Sequence, residues 1–156
     1  LIHEKLYSSG NLKLVNMKEY IEELSRDFSN VHLSNHDNVS LVLDIENIML
    51  DVDTAIPVGL IINELLTNSV KHAFPAKQIG TINLNLKKVE NGELLLEAKD
   101  NGKGLPSGFK IENSDSLGLR LIHSLTDQIN GQIEVDGSQG AHFSIKFHEQ
   151  KRGKRK

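Results

Sequence analysis

Between Thr54 and Phe74 the chain reads TAIPVGLIINELLTNSVKHAF, a long helical pattern that is apolar nearly all the way round. Ala55, Ile56, Val58, Leu60, Ile61, Ile62, Leu65, Leu66, Val70 and Ala73 would bury most of its circumference. A helix of that kind belongs in the interior of a domain. Glu64, Asn68, Lys71 and His72 interrupt it, with Asn68 four residues after Glu64 and Lys71 and His72 three and four residues after Asn68. Those intervals stack side chains along one stripe of a helix. A solvated face is the ordinary reason for a polar stripe, but the apolar flanks argue against it here. A buried polar group left without a hydrogen bond costs roughly 1–3 kcal/mol. The stripe is therefore expected to face a cavity.

The rest of the chain sets bounds on what that cavity serves. A length of 156 residues fits one domain with a sizeable core. The net charge of −3 supplies no basic field for nucleic acid. The sequence contains no cysteine, which excludes disulfides and thiolate metal sites and suits a cytoplasmic location. No signal peptide or bilayer-spanning run is legible. The chain opens on Leu1 rather than Met, so it is expected to be a piece of a larger protein, one whose membrane anchorage the sequence leaves open.

Taken in order, Leu1 to Tyr7 has helical spacing and is broken by Ser8, Ser9, Gly10 and Asn11. Met17 to Phe28 reads as an amphipathic helix capped by Asn16. Val39 to Ile45 alternates like a strand, and Ile48 to Leu50 reads as a short second one. The long helix follows, with Thr54 as the expected cap, Pro57 in its first turn and Pro75 as its stop. Gly80 to Val89 and Glu93 to Lys99 read as a hairpin turning at Asn91-Gly92. Leu117 to Ile129 is helical, with Ser116 as candidate cap, and Gln132 to Val135 and His142 to Phe147 form a last hairpin. The tail from Lys151 to Lys156 is charge and glycine, and is expected to be disordered. Locally closed strand pairs with helices between them indicate an α+β fold: a two-layer sandwich of a mixed, mostly antiparallel sheet with helices on one face.

Three further stretches carry chemistry. In Asp100-Asn101-Gly102-Lys103-Gly104 a strand ends and no matching strand follows. A simple turn needs one glycine, whereas two glycines one residue apart let a backbone approach a flat or charged ligand. The Asp100 carboxylate at the strand end can accept from an exocyclic amine, which favours adenine over guanine. In Ser116-Leu117-Gly118-Leu119-Arg120, a glycine in the first turn weakens a helix by roughly 1 kcal/mol relative to Ala. It gains either close approach of phosphate oxygens to the N-terminal amides or tight packing. Gly140 enters the final alternating strand, which by itself is an ordinary hairpin strand.

The order of these pieces resembles the ATP-binding domain of sensor histidine kinases and, more broadly, the ATPase superfamily shared with type II topoisomerases, Hsp90 chaperones, mismatch-repair proteins and anti-sigma-factor kinases. Asn63 to Phe74 resembles the N box, Asp100 to Gly104 the first glycine box and Leu117-Gly118-Leu119 the second. The wording is most similar to the histidine kinase subgroup with an atypical dimerisation region. The resemblance covers residues 40–148 and implies ATP and Mg²⁺ as ligands. It implies that Asn68 coordinates Mg²⁺ through its amide oxygen and that Glu64 acts as general base or polarises the attacking group. Lys71 would pair with phosphate, His72 would lie near the ribose or phosphates, and Asp100 would take the adenine amine. Gly102 and Gly104 would shape the pocket. Leu105 to Ser116 would be a mobile lid, and Gly118, between Leu117 and Leu119, would let the lid's hinge meet the phosphates. Lys103 and Arg120 are lesser phosphate candidates.

The resemblance divides the chain into the end of a dimerisation helix and linker at 1–15, the catalytic domain at 16–148 and a basic tail at 149–156. It implies a phosphoacceptor histidine upstream, a response regulator as partner and a homodimeric parent. His3 is not followed by the long helix a phosphoacceptor needs, and His32, His36, His123, His142 and His148 read as surface or loop residues without a partner pattern. The lid is short, with no clear phenylalanine box beyond Phe109, and Ala141 stands where many members of the family place a threonine. An anti-sigma-factor serine/threonine kinase and a non-catalytic nucleotide-sensing module are the alternative readings.

Overall fold

The structure, a computed structural model, describes residues 14–34, 38–73 and 79–149, without the side chains of His72 and Ala73. The helical pattern at Leu1 to Tyr7, His3, His36, Pro75 and the basic tail from Lys151 lie outside the described residues.

Strand β1 (Leu14–Asn16) pairs antiparallel with β3 (Met49–Asp51). Strand β1 is not expected from the sequence, yet its central Val15 is 1% exposed. It also puts Leu14 and Val15, expected in a linker, into the folded part of the chain. Helix α1 (Met17–Phe28) follows directly, and the Asn16 side chain accepts from the Glu19 amide at 3.1 Å, as an N-cap does. Its buried Met17, Tyr20, Ile21, Leu24 and Phe28 form the predicted apolar stripe.

Helix α2 (Val52–Asn68) begins two residues before the expected start. Its cap is Asp51, whose Oδ1 accepts from the Asp53 amide at 2.8 Å, rather than Thr54, which is fully buried. Pro57 consequently sits in the second turn, where it contributes no N–H to the helical ladder. Glu149, expected in the tail, is instead tied back to this start: its Oε2 accepts from the Asp51 amide at 3.1 Å. After Asn68 the helix widens into a π-type turn over Ser69–Ala73.

The main sheet has five strands in the order β2 (Val39–Ile45), β4 (Gly80–Lys88), β5 (Leu94–Asp100), β7 (His142–Phe147) and β6 (Gln132–Asp136). Only β2 and β4 run parallel, as a strand–helix–strand crossover through α2 requires. The β4–β5 turn has Asn91 at φ 63° and Gly92 at φ +74°, the two positive angles that an Asn-Gly hairpin supplies. Register puts Ile82, Leu84 and Leu86 opposite Asp100, Ala98 and Leu96, and Ile145 opposite Leu96. That face is buried with α1, α2 and α3 (Leu117–Gln128), which joins it through Ile122, Leu125 and the flanking Ile129. The opposite face carries Glu97, Lys99, His142, Ser144 and Glu134. Among the described residues the sheet therefore has helices on one side only, the arrangement expected from the sequence.

The histidines are better partnered than their sequence context indicates. His142 Nε2 lies 2.9 Å from Glu97 Oε2 and 3.2 Å from Ser144 Oγ. His123 Nδ1 is 3.8 Å from Asp127 Oδ2, one turn on, and His32 stacks on Phe28 at 4.6 Å between ring centroids. Cross-strand register creates the first contact, and register is not visible in an isolated segment.

Candidate functional site

The C-terminal end of α2, the C-terminal end of β5 and the N-terminus of α3 meet at one place. They enclose a cavity of about 550 Å³ whose walls include Asn68, Ser69, Asp100, Gly104, Leu119 and Phe143. The volume is within the range of small-molecule sites.

Asp100 forms part of the cavity wall. It is the last residue of β5 and is 2% exposed. Its Oδ1 accepts from the amides of Gly102 and Ala141, both at 3.0 Å, and its Oδ2 accepts from the Ser69 hydroxyl at 2.9 Å. A carboxylate has about four lone-pair positions, so one on Oδ2 remains for a ligand donor. The role of Gly102 is thus partly a backbone one: its N–H holds the acid in place. Ser69 was not among the residues singled out from sequence, where it is one of several polar residues between Thr67 and His72.

Asn68 also lines the cavity, whereas Glu64 and Gly118 lie against one another outside its lining. Asn68 Nδ2 is buried and has no hydrogen-bond partner among the described residues. Gly118 in the first turn of α3 lies so close to both α2 side chains that a Cβ there would come within 2.9 Å of Glu64 Oε1 and 3.4 Å of Asn68 Nδ2. The glycine therefore serves tight packing, one of its two sequence readings, and the packing is against the polar stripe itself. Ser116 caps α3, its Oγ accepting from the Leu119 amide at 3.4 Å, so the helix N-terminus opens beside the same pair.

Glycines also join the loop edges. Gly104 (φ +78°) packs so closely on Gly137 that a Cβ would overlap the Gly137 carbonyl oxygen, and the Leu105 amide donates to that oxygen at 3.1 Å. Gly140 (φ +81°) lies against Asp100, where a Cβ would overlap the Asp100 carbonyl oxygen. The β6–β7 turn is braced by Asp136, whose Oδ1 accepts from the Ser138 amide and hydroxyl at 3.0 and 2.8 Å. These bonds hold the Asp136 carboxyl below its usual range. Within Leu105 to Ser116 the short turn Ile111–Asn113 buries Ile111.

The stripe does not continue past Asn68 in the manner of a straight helix. A π-type turn advances each residue by less than the 100° of an α-helix, so residues after Asn68 rotate away from the Glu64–Asn68 line. Lys71 is exposed and lies outside the cavity lining, as do Arg120 and the exposed Leu117, whereas Lys103 is part of it. The side chain of His72 is outside the described residues. Among the described residues, no three His, Cys, Asp or Glu side chains form a metal-ligating cluster. The oxygens of Glu64 and Asn68 are hard donors that suit an ion completing its shell on phosphate and water.

Residues 53–151 match the family described as histidine kinase-, DNA gyrase B-, and HSP90-like ATPase. Sensor histidine kinase PdtaS of Mycolicibacterium smegmatis is 38% identical over 97 residues, which are 60% of this chain and 18% of that protein. Sensor histidine kinase PdtaS of Mycobacterium tuberculosis is 32% identical over 142 residues, 90% of this chain and 26% of that protein. The chain thus spans about a quarter or less of the length of these relatives. The solved histidine kinase domain from the Erythrobacter litoralis EL346 blue-light activated histidine kinase superposes with a TM-score of 0.84 at 20% identity, covering 94% of this chain and 73% of that one. Mycobacterial sensor histidine kinase MprB gives a TM-score of 0.68 at 18% identity, covering 88% and 98%. At those identities the structural likeness concerns the fold. With 53–151 matched and the helix, strand end and helix start gathered at one cavity, the chain belongs to the histidine kinase-, DNA gyrase B- and HSP90-like ATPase family.

Proposed function

We propose that this cavity binds ATP together with Mg²⁺ and that the chain is the catalytic domain of a two-component sensor histidine kinase. The γ-phosphoryl group would pass to a histidine on a preceding dimerisation domain, and from there to a response regulator. The parent kinase would act as a homodimer, with this domain in the cytoplasm. The observation that carries the reading is the presence of Asp100, Asn68 and the α3 cap Ser116 in the wall of one cavity. Asp100 is held by three donors with an acceptor position to spare, Asn68 Nδ2 is buried without a partner among the described residues, and Glu64 lies one turn before Asn68, packed under Gly118.

The division of labour follows from the chemistry. Phosphoryl transfer depends mostly on positioning and charge neutralisation. Asp100 would take the adenine amine, with Gly102 and Gly104 letting the backbone close around the base. The N-terminal amides of α3 would face the phosphates, where the helix dipole favours negative charge. Asn68 would hold the metal through its amide oxygen, and the ion would offset triphosphate charge when bound. Glu64, one turn away, would accept a proton from, or polarise, the attacking imidazole. Lys103 would pair with phosphate from the cavity wall, and Leu105 to Ser116 would close over the nucleotide.

Titration calorimetry with ATP and Mg²⁺, followed by transfer to a separately supplied acceptor domain, tests the reading. Heat of binding and an acid-labile phosphoprotein are expected. An acid-stable product would instead place the chain with serine/threonine kinases, and binding without transfer would make it a nucleotide-sensing module.

A further inference from the structure

Ser69 is 8% exposed, sits immediately after Asn68 at the start of the π-type turn and lines the cavity. A hydroxyl is costly in such a place unless it is used. Its Oγ donates to Asp100 Oδ2 at 2.9 Å, across 31 residues of sequence. Asp100 Oδ1 is already occupied by the Gly102 and Ala141 amides. The side chain at 141 is a methyl group, so the hydroxyl that reaches this acid comes from the turn that follows α2 and not from the residue that precedes β7.

We infer that Ser69 is a specificity-determining residue: it orients Asp100 and restricts the base pocket to purines bearing a 6-amino group. A carboxylate can only accept, so the single hydroxyl proton of Ser69 is committed to it. Ser69 Oγ is left with lone pairs alone, and Asp100 Oδ2 with one. The two oxygens therefore offer an incoming base acceptors and no donor. An exocyclic amine satisfies them. A 6-oxo group sets oxygen against oxygen and leaves buried acceptors unpaired, and that mismatch is the source of selectivity. Without Ser69 the Asp100 side chain is held through one oxygen only, and the other is free to turn.

This inference depends on the cavity being an adenine-nucleotide site. The test is competition binding on the 156-residue chain with ATP, inosine triphosphate and purine riboside triphosphate, which differ at the 6-position. The Ser69→Ala variant is expected to bind ATP about tenfold more weakly and to bind the other two unchanged within twofold, so the ATP preference collapses. Alanine is a strong helix former and Asp100 keeps both backbone donors, so the fold is expected to persist. Ser69→Cys, similar in size but a weak donor, is the second variant and is expected to lose ATP preference in the same direction. Equal weakening for all three nucleotides, or an unchanged preference in both variants, would overturn the inference. Failure of the wild-type chain to bind any of the three would instead overturn the nucleotide reading.

Discussion

Gly118 packs so tightly over Glu64 that a single added methyl group would stand 2.9 Å from the carboxylate Oε1. The obstructed atom is the far end of a flexible side chain and not backbone, so Glu64 can swing away with little loss of packing. Gly118→Ala also favours helix by up to about 1 kcal/mol. Stability is therefore expected to hold or rise slightly in a thermal melt. Phosphoryl transfer is expected to fall at least about tenfold, because displacement of a reacting group by even 1 Å is costly to catalysis. A variant that melts normally and transfers at the wild-type rate would remove Glu64 from the chemistry.

Asp100→Asn separates base recognition from folding. The amide oxygen can still accept from the Gly102 and Ala141 amides, and its NH₂ can donate to Ser69 Oγ if that hydroxyl reverses its role. What disappears is the acceptor offered to an amine. ATP affinity is expected to drop about tenfold or more while affinity for a 6-oxo purine triphosphate rises, with the melting temperature shifted by a few degrees at most. Parallel titrations with ATP and inosine triphosphate measure both changes.

The uneven legibility of this fold in its sequence has physical causes. Met17 to Phe28, its Asn16 cap and the Asn91-Gly92 turn are set by neighbours within a few residues, and the sequence reading matches them. The same is true of the α3 cap at Ser116 and of Asp100 at the end of β5. The start of α2 was harder, because Pro57 suggests a first turn whereas the Asp51 side chain caps earlier and leaves the proline in the second. The pairing of β1 with β3, the Glu149 contact to Asp51 and the Glu97–His142 contact link residues far apart in sequence. So do the Gly104–Gly137 and Gly140–Asp100 approaches. No local pattern encodes them. Ser69 belongs to the same class: it stands among other polar residues, and its partner is 31 residues on.

Two glycines with the same backbone angle test how much of the loop scaffold is steric. Gly140 and Gly108 have φ of +81° and +77°, so Ala at either incurs about 1–2 kcal/mol for the left-handed conformation. They differ in surroundings. A Cβ at Gly108 meets nothing within 4 Å, whereas one at Gly140 overlaps the Asp100 carbonyl oxygen and stands 3.1 Å from Asn101 Cα. Backbone cannot swing aside as the Glu64 side chain can. Urea denaturation is expected to show the small loss for Gly108→Ala and a loss of more than about 3 kcal/mol for Gly140→Ala. Equal losses would mean that β5 and the β6–β7 turn are not held at contact distance.

Asn68→Ala examines the metal directly. The buried Nδ2 has no partner among the described residues, so truncation removes an unsatisfied group and is expected to leave stability unchanged or higher by about 1 kcal/mol. Its effect should fall on magnesium linkage. For the wild-type chain, ATP is expected to bind more tightly in Mg²⁺ than in EDTA, because the shared ion links the phosphates to the protein. For Asn68→Ala the two affinities should converge, while the EDTA value stays near wild type because Asp100 still holds the base. Transfer to an acceptor histidine should fall by about a hundredfold or more, since the triphosphate is then neither placed nor neutralised. A Mg²⁺ dependence that survives the substitution would mean that the ion is held elsewhere, and that the Asn68 amide serves only to line the cavity.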